Sequence, residues 1–106
     1  MKFENIFIVQ EKEKSTQVEL LCNLTLEYSR KMQVNFQILL ETNQKNVELD
    51  LKNVDVVDSS GLTVLLLIYK TLSKKGLSVN LINVGSHVLA TLEAASLTGI
   101  FNMETS

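Results

Sequence analysis

Asp58-Ser59-Ser60-Gly61 is the stretch of this sequence whose residue types could do chemistry. It stands between a β-branched run, Val54 to Val57, and a leucine-rich one beginning at Leu62. Asp, Ser and Gly favour turns and helix starts, so the plain reading is a cap: Asp58 accepts from free amides of a first helical turn, and the serines are incidental. The functional reading rests on place. Where a strand ends and a helix begins, backbone amides point outward and the helix dipole favours negative charge. A phosphate on either serine would meet those amides and add about −1.5 to −2 charge. With Asp55 and Asp58 beside it, that charge could repel an acidic partner or spoil the fit of a neutral one.

Catalysis by either hydroxyl would need a base, and no His, Lys or Glu stands close in sequence. The stretch is not G-x-S-x-G, and a phosphate-loop pattern is absent. An enzyme is therefore not expected. Cys22, in the apolar run Leu20-Leu21-Cys22, reads as a small buried residue, because a reactive thiol needs an electropositive, open setting. His87, the only histidine, follows Ser86 at a helix start and reads as exposed or capping. No second His or Cys lies at metal-ligand spacing, so neither metal nor cofactor is expected.

The segment after Gly61 carries a second signal. At 100° per residue, Leu62, Leu65, Leu66, Ile68, Tyr69 and Leu72 share one apolar face. Val64 and Leu67 fall on the other side, with Thr63, Lys70, Thr71 and Lys74. They are either covered by a neighbouring element or form, with Asp55, Thr63 and Lys70, a contact surface for a protein partner beside the serines.

The elements that must position this turn follow from the pattern. Phe3 to Val9 reads as a strand, Gln10 to Ser15 as a hairpin turn, and Thr16 to Asn23 as a second strand. Thr25 is placed to cap a helix over Leu26 to Thr42, with Tyr28, Met32, Phe36, Leu39 and Leu40 as its apolar stripe and Glu27 near its positive end. After a polar break, Val47 to Leu51 alternates as a strand. A helix runs from Gly61 to about Lys75, stopped by Gly76, with Lys74 and Lys75 facing its negative end. Leu77 to Asn83 is a strand, Ser86 caps a third helix ending near Ser96, and Ile100 to Met103 is a last short strand. The order β-β-α-β-α-β-α-β predicts an α/β domain with a mixed sheet and helices packed mainly on one face.

The whole chain, 1–106, reads as one domain, long enough to bury a core. Its net charge of −2 with scattered Lys and Arg gives no nucleic-acid footprint. No apolar run reaches the roughly 18 residues needed to span a bilayer, so no membrane insertion is expected. The opening Met-Lys-Phe-Glu-Asn does not resemble a secretory signal, and a cytoplasmic protein is expected.

Val47 to Leu51, Val54 through Asp58-Ser59-Ser60-Gly61-Leu62, Lys75-Gly76-Leu77-Ser78-Val79, Asn83-Val84-Gly85-Ser86 and Leu97-Thr98-Gly99-Ile100-Phe101 together resemble the STAS domain of bacterial anti-sigma factor antagonists. The likeness covers most of the chain and is most specific from 47 to 101. It implies partner switching: the unphosphorylated antagonist binds an anti-sigma factor, often also a serine-protein kinase, and a sigma factor is released. The kinase phosphorylates the serine after the aspartate, and a phosphatase reverses it. Carried over, the acceptor is Ser59, with Ser60 second, and Asp58 and Gly61 support the site. Many antagonists carry Gly-Glu-Leu/Ile-Asp before the first helix, where this chain has Asn23-Leu24-Thr25-Leu26-Glu27. That departure is more similar to STAS proteins found beside chemotaxis kinases or in lipid-transport ABC complexes. The alternative expectation is therefore a non-enzymatic scaffold subunit of such an array or complex.

Overall fold

The computed structural model describes residues 2–3 and 6–105, with side chains described from 6 to 103. Six strands, β1 (Lys2–Phe3), β2 (Phe7–Glu11), β3 (Ser15–Leu20), β4 (Asn46–Asp50), β5 (Val79–Val84) and β6 (Asn102–Thr105), form one sheet whose spatial order equals the chain order. Three helices connect the later strands: α1 (Leu26–Thr42), α2 (Ser59–Lys74) and α3 (Ser86–Ala94). β1, β2 and β3 pair antiparallel; β3 to β6 pair parallel. The expected mixed α/β sheet is present.

One expectation changes at the start of the chain. The strand anticipated over Phe3 to Val9 contains two, with Lys2 paired to Ile8 and Phe3 to Phe7; residues 4 and 5 lie outside the described residues. An alternating apolar pattern does not distinguish one strand from two that fold back, because both keep period two. The last strand begins at Asn102 rather than Ile100.

Register explains the layering. Val18, Leu49 and Leu81 lie side by side across three strands and are fully buried. Thr16, Val47 and Val79 form the next buried row. The intervening rows, led by Gln17, Glu48 and Asn80, point to the opposite face and stay partly exposed. Helices thus cover one face, as a half-buried alternating strand requires. Phe36 of α1 meets Phe7 of β2 with ring centroids 4.6 Å apart, and Met32, Phe36, Leu39 and Leu40 seat α1 on the core.

The helix ends are built from polar contacts. Gly76 stops α2 in the left-handed conformation (φ 73°), with Leu77 N donating to Leu72 O and Gly76 N to Ser73 O. Ser96 (φ 59°) makes the equivalent turn after α3, with Leu97 N donating to Leu92 O. Ser96→Gly should stabilise the domain by about 0.5 kcal/mol, read as a raised urea midpoint, because glycine adopts this conformation without penalty. Lys75 does not serve its own helix as expected. Its Nζ donates to the carbonyl oxygens of Leu40 and of Asn43 (3.0 Å), at the end of α1, which has no basic residue in its last turn. Lys75→Met should lower stability by about 0.5–1 kcal/mol in thermal unfolding, after allowance for its exposure.

Candidate functional site

All three helices start at the carboxyl ends of the parallel strands, and two of those starts are tied together. Asn23, in the loop after β3, accepts through Oδ1 from the amides of Asp55 (2.8 Å) and Val56 (3.2 Å). Leu24 N donates to Val56 O (3.1 Å), and Asp58 N donates to Leu24 O (3.0 Å). These bonds zip the loop before α1 to the loop before α2. Asn23 and Leu24 therefore fix the height at which residues 58–61 emerge.

Asp58 is the N-cap of α2, as expected, and does more. Its Oδ1 accepts from Gly61 N (3.0 Å) and Ser60 Oγ (2.6 Å), while Oδ2 accepts from Leu26 N (2.9 Å), the first residue of α1. Thr25, expected to cap α1, makes no side-chain cap bond; Asp58 supplies that function from the neighbouring loop. The Ser60 hydroxyl and then the Gly61 and Leu26 amides hold the Asp58 carboxyl below the usual aspartate range. The folded value lies below the unfolded one, so this carboxylate contributes stability above its ordinary value near 3.8, and the contribution disappears as pH falls through the lower folded value. Acid unfolding of Asp58→Asn should lack that component, giving a smaller loss of stability below pH about 4 than the parent shows.

The two serines are unequal. Ser59 is exposed at the first position of α2. Its carbonyl accepts from Thr63 Oγ1 (3.1 Å), and among the described residues its own hydroxyl makes no hydrogen bond. Ser60 is half-buried and its hydroxyl is spent on Asp58. One of the amides at this helix start is also taken, since Gly61 N is held by Asp58.

Gly61 packs against the zipped loop: an added Cβ would lie 2.0 Å from Leu24 O. The proposed contact residues separate into two groups. Asp55, Thr63 and Lys70 are exposed and Leu67 is half-buried. Val64 is 0% exposed and cannot contact a partner. The buried face of α2 is Gly61, Val64, Leu65, Ile68 and Leu72, with Leu62, Leu66 and Tyr69 at its flank. The apolar count drew the face toward those flanking residues, but α1 packs beside α2 and shifts burial toward the Gly61–Val64 side. What remains outward is a stripe of Ser59, Thr63, Leu67 and Lys70. Leu26 (76% exposed) and Val56 (41% exposed) add apolar surface beside Asp58, and both were missed in the sequence. Leu26 lies off the α1 stripe at a helix start, which was the only available signal.

Cys22 is half-buried against the core, and burial pushes its thiol up. His87 is exposed in the first turn of α3, whose N-cap is Gly85 rather than Ser86. Among the described residues no group of His, Cys, Asp or Glu could hold a metal, and no helix is long and apolar enough to cross a membrane.

A one-layer helical cover on a mixed sheet, with a serine-bearing helix start pinned by an aspartate, defines a small α/β domain of the STAS type. The family model described as "Mlab, STAS domain" matches residues 7–103, and the chain belongs to that family. Solved structures share the fold at low identity. A Thermotoga maritima protein proposed to be an anti-sigma factor antagonist superposes with a TM-score of 0.86 at 22% identity, covering 94% of this chain and 86% of that one. The anti-sigma factor antagonist SpoIIAA in its unphosphorylated form gives 0.78 at 14% identity, covering 94% and 88%. A sulfate transporter family protein from Wolinella succinogenes gives 0.75 at 14% identity, covering 88% and 78%. No curated protein sequence matches the chain significantly.

Proposed function

We propose that this chain is a non-enzymatic, cytoplasmic anti-sigma factor antagonist whose binding is switched by phosphorylation of Ser59. The observation that carries the reading is the inequality of the serines: Ser59 is exposed and first in α2, whereas the Ser60 hydroxyl is held by Asp58. The unmodified outer stripe of α2, with Leu26 and Val56, would receive the anti-sigma factor or its kinase. A phosphate on Ser59 would place a dianion beside the Asp58 carboxylate, which clamps the start of α1 through Leu26 N. Repulsion would act both on an acidic partner and on that clamp, and a phosphatase would restore the binding form. Relatives of this fold include SpoIIAA in both unphosphorylated and phosphorylated forms.

The test is mass spectrometry of the chain purified from its native host, with parent, Ser59→Ala and Ser60→Ala compared. One phosphate should appear in the parent and in Ser60→Ala and be lost in Ser59→Ala. Phosphate surviving Ser59→Ala would overturn the assignment. Ser59→Asp should weaken capture of the partner at least about tenfold, since like-charge contact at an interface costs several kcal/mol.

A second reading, a scaffold subunit of a signalling array or a lipid-transport ABC complex, is favoured by two findings. The matching family model carries the Mlab name, and the fold recurs in a sulfate transporter family protein and an anion transporter. Copurification with an ABC-type ATPase, unchanged by Ser59→Asp, would select it.

A further inference from the structure

The outward face of α1 is unusual for a helix of a small domain. Val34 and Ile38, one turn apart, are 49% and 55% exposed. They form the apolar floor of a shallow groove bordered by Glu27, Arg30 and Lys31. Arg30 lies one turn before Val34 and Glu41 one turn after Gln37 on the same side of this face. All of these residues face away from the core, which α1 meets through Met32, Phe36, Leu39 and Leu40.

From this arrangement we infer that α1 pairs antiparallel with α1 of a second copy of the chain. The charges select the occupant and the register. A twofold axis crossing α1 between residues 35 and 36 sets Arg30 of one copy opposite Glu41 of the other, and does so twice by symmetry. The same register lays Val34 against the Gln37–Ile38 turn of the second copy, so each apolar pair is covered. A parallel pairing would set Arg30 beside Arg30 and Glu41 beside Glu41, which like-charge repulsion opposes. Among the described residues neither the Arg30 nor the Glu41 side chain forms an intrachain ion pair. The contact is one helix face per copy, at the small end of the range for specific interfaces, so the dimer is weak and exchanges with monomer. It uses none of Ser59, Thr63 or Lys70 and does not depend on the switch.

Sedimentation equilibrium from micromolar to millimolar chain gives the test. The mass should rise from 11.9 kDa toward twice that value, and the rise should weaken in high salt. Arg30→Glu and Glu41→Arg should each weaken association at least about tenfold. The double variant Arg30→Glu/Glu41→Arg should recover it, because the swapped charges again face each other, and Val34→Asp should abolish it. Circular dichroism of each variant reports folding separately. A parent chain that stays monomeric at millimolar concentration overturns the inference. So does a folded double variant that associates no better than the single ones.

Discussion

Gly61→Ala is expected to destabilise the domain by about 3 kcal/mol or more, the upper range for overpacking against atoms that cannot retreat. The added Cβ would sit 2.0 Å from Leu24 O and 2.7 Å from both the carbonyl carbon and Cβ of Leu24. That carbonyl is not free to swing, because it accepts from Asp58 N, and Leu24 N is fixed to Val56 O. Relief must come from parting α2 and the loop before α1, which breaks the Asp58–Leu26 bond as well. Urea denaturation followed by circular dichroism checks this, with Gly99→Ala as control. At Gly99 a Cβ meets nothing within 4 Å, and a change within about 0.5 kcal/mol is expected. Equal midpoints for the two variants would show that the helix and loop are not in close contact.

Val64→Asp should cost about 4 kcal/mol or more, a large part of the stability of a domain this size. Its side chain is 0% exposed, and a carboxylate there would have no cation or donor arranged for it. Thr63→Asp, one residue earlier and exposed, should change stability by no more than about 0.5 kcal/mol. The pair separates core from contact surface. A Val64 variant that loses its partner does so by losing its fold, whereas a Thr63 or Lys70 variant that loses its partner remains folded. Far-ultraviolet dichroism and a thermal melt on each variant decide between the cases.

These two residues also mark where the sequence was legible. The bounds of α1, the Asp58 cap, the Gly76 stop and the alternation of strands and helices follow from local chemistry, because capping, left-handed stops and period-two burial act within a few residues. The helix-start position of the two serines could be read for the same reason, while the preference for Ser59 over Ser60 came from the family resemblance. The orientation of α2 about its axis could not, since it depends on where α1 lies, and that contact joins residues far apart in the chain. Val64 was misplaced on those grounds. The cross-loop cap on Leu26, the reach of Lys75 to the end of α1 and the need for glycine at 61 belong to the same class: each pairs residues more than 30 positions apart. The exposure of Val34 and Ile38 is similar: they lie off the apolar stripe read for α1, and only the fold shows that they are left outward among the described residues.

Because the spatial order of the strands repeats their order along the chain, no strand has to be threaded between two that are already paired. Each new strand joins the open border left by its predecessor, once the intervening helix has folded over it. A polypeptide emerging residue by residue from the ribosome can therefore assemble this sheet in the direction of synthesis, starting at the antiparallel pairing of β1 with β2, with every intermediate one strand wider than the last.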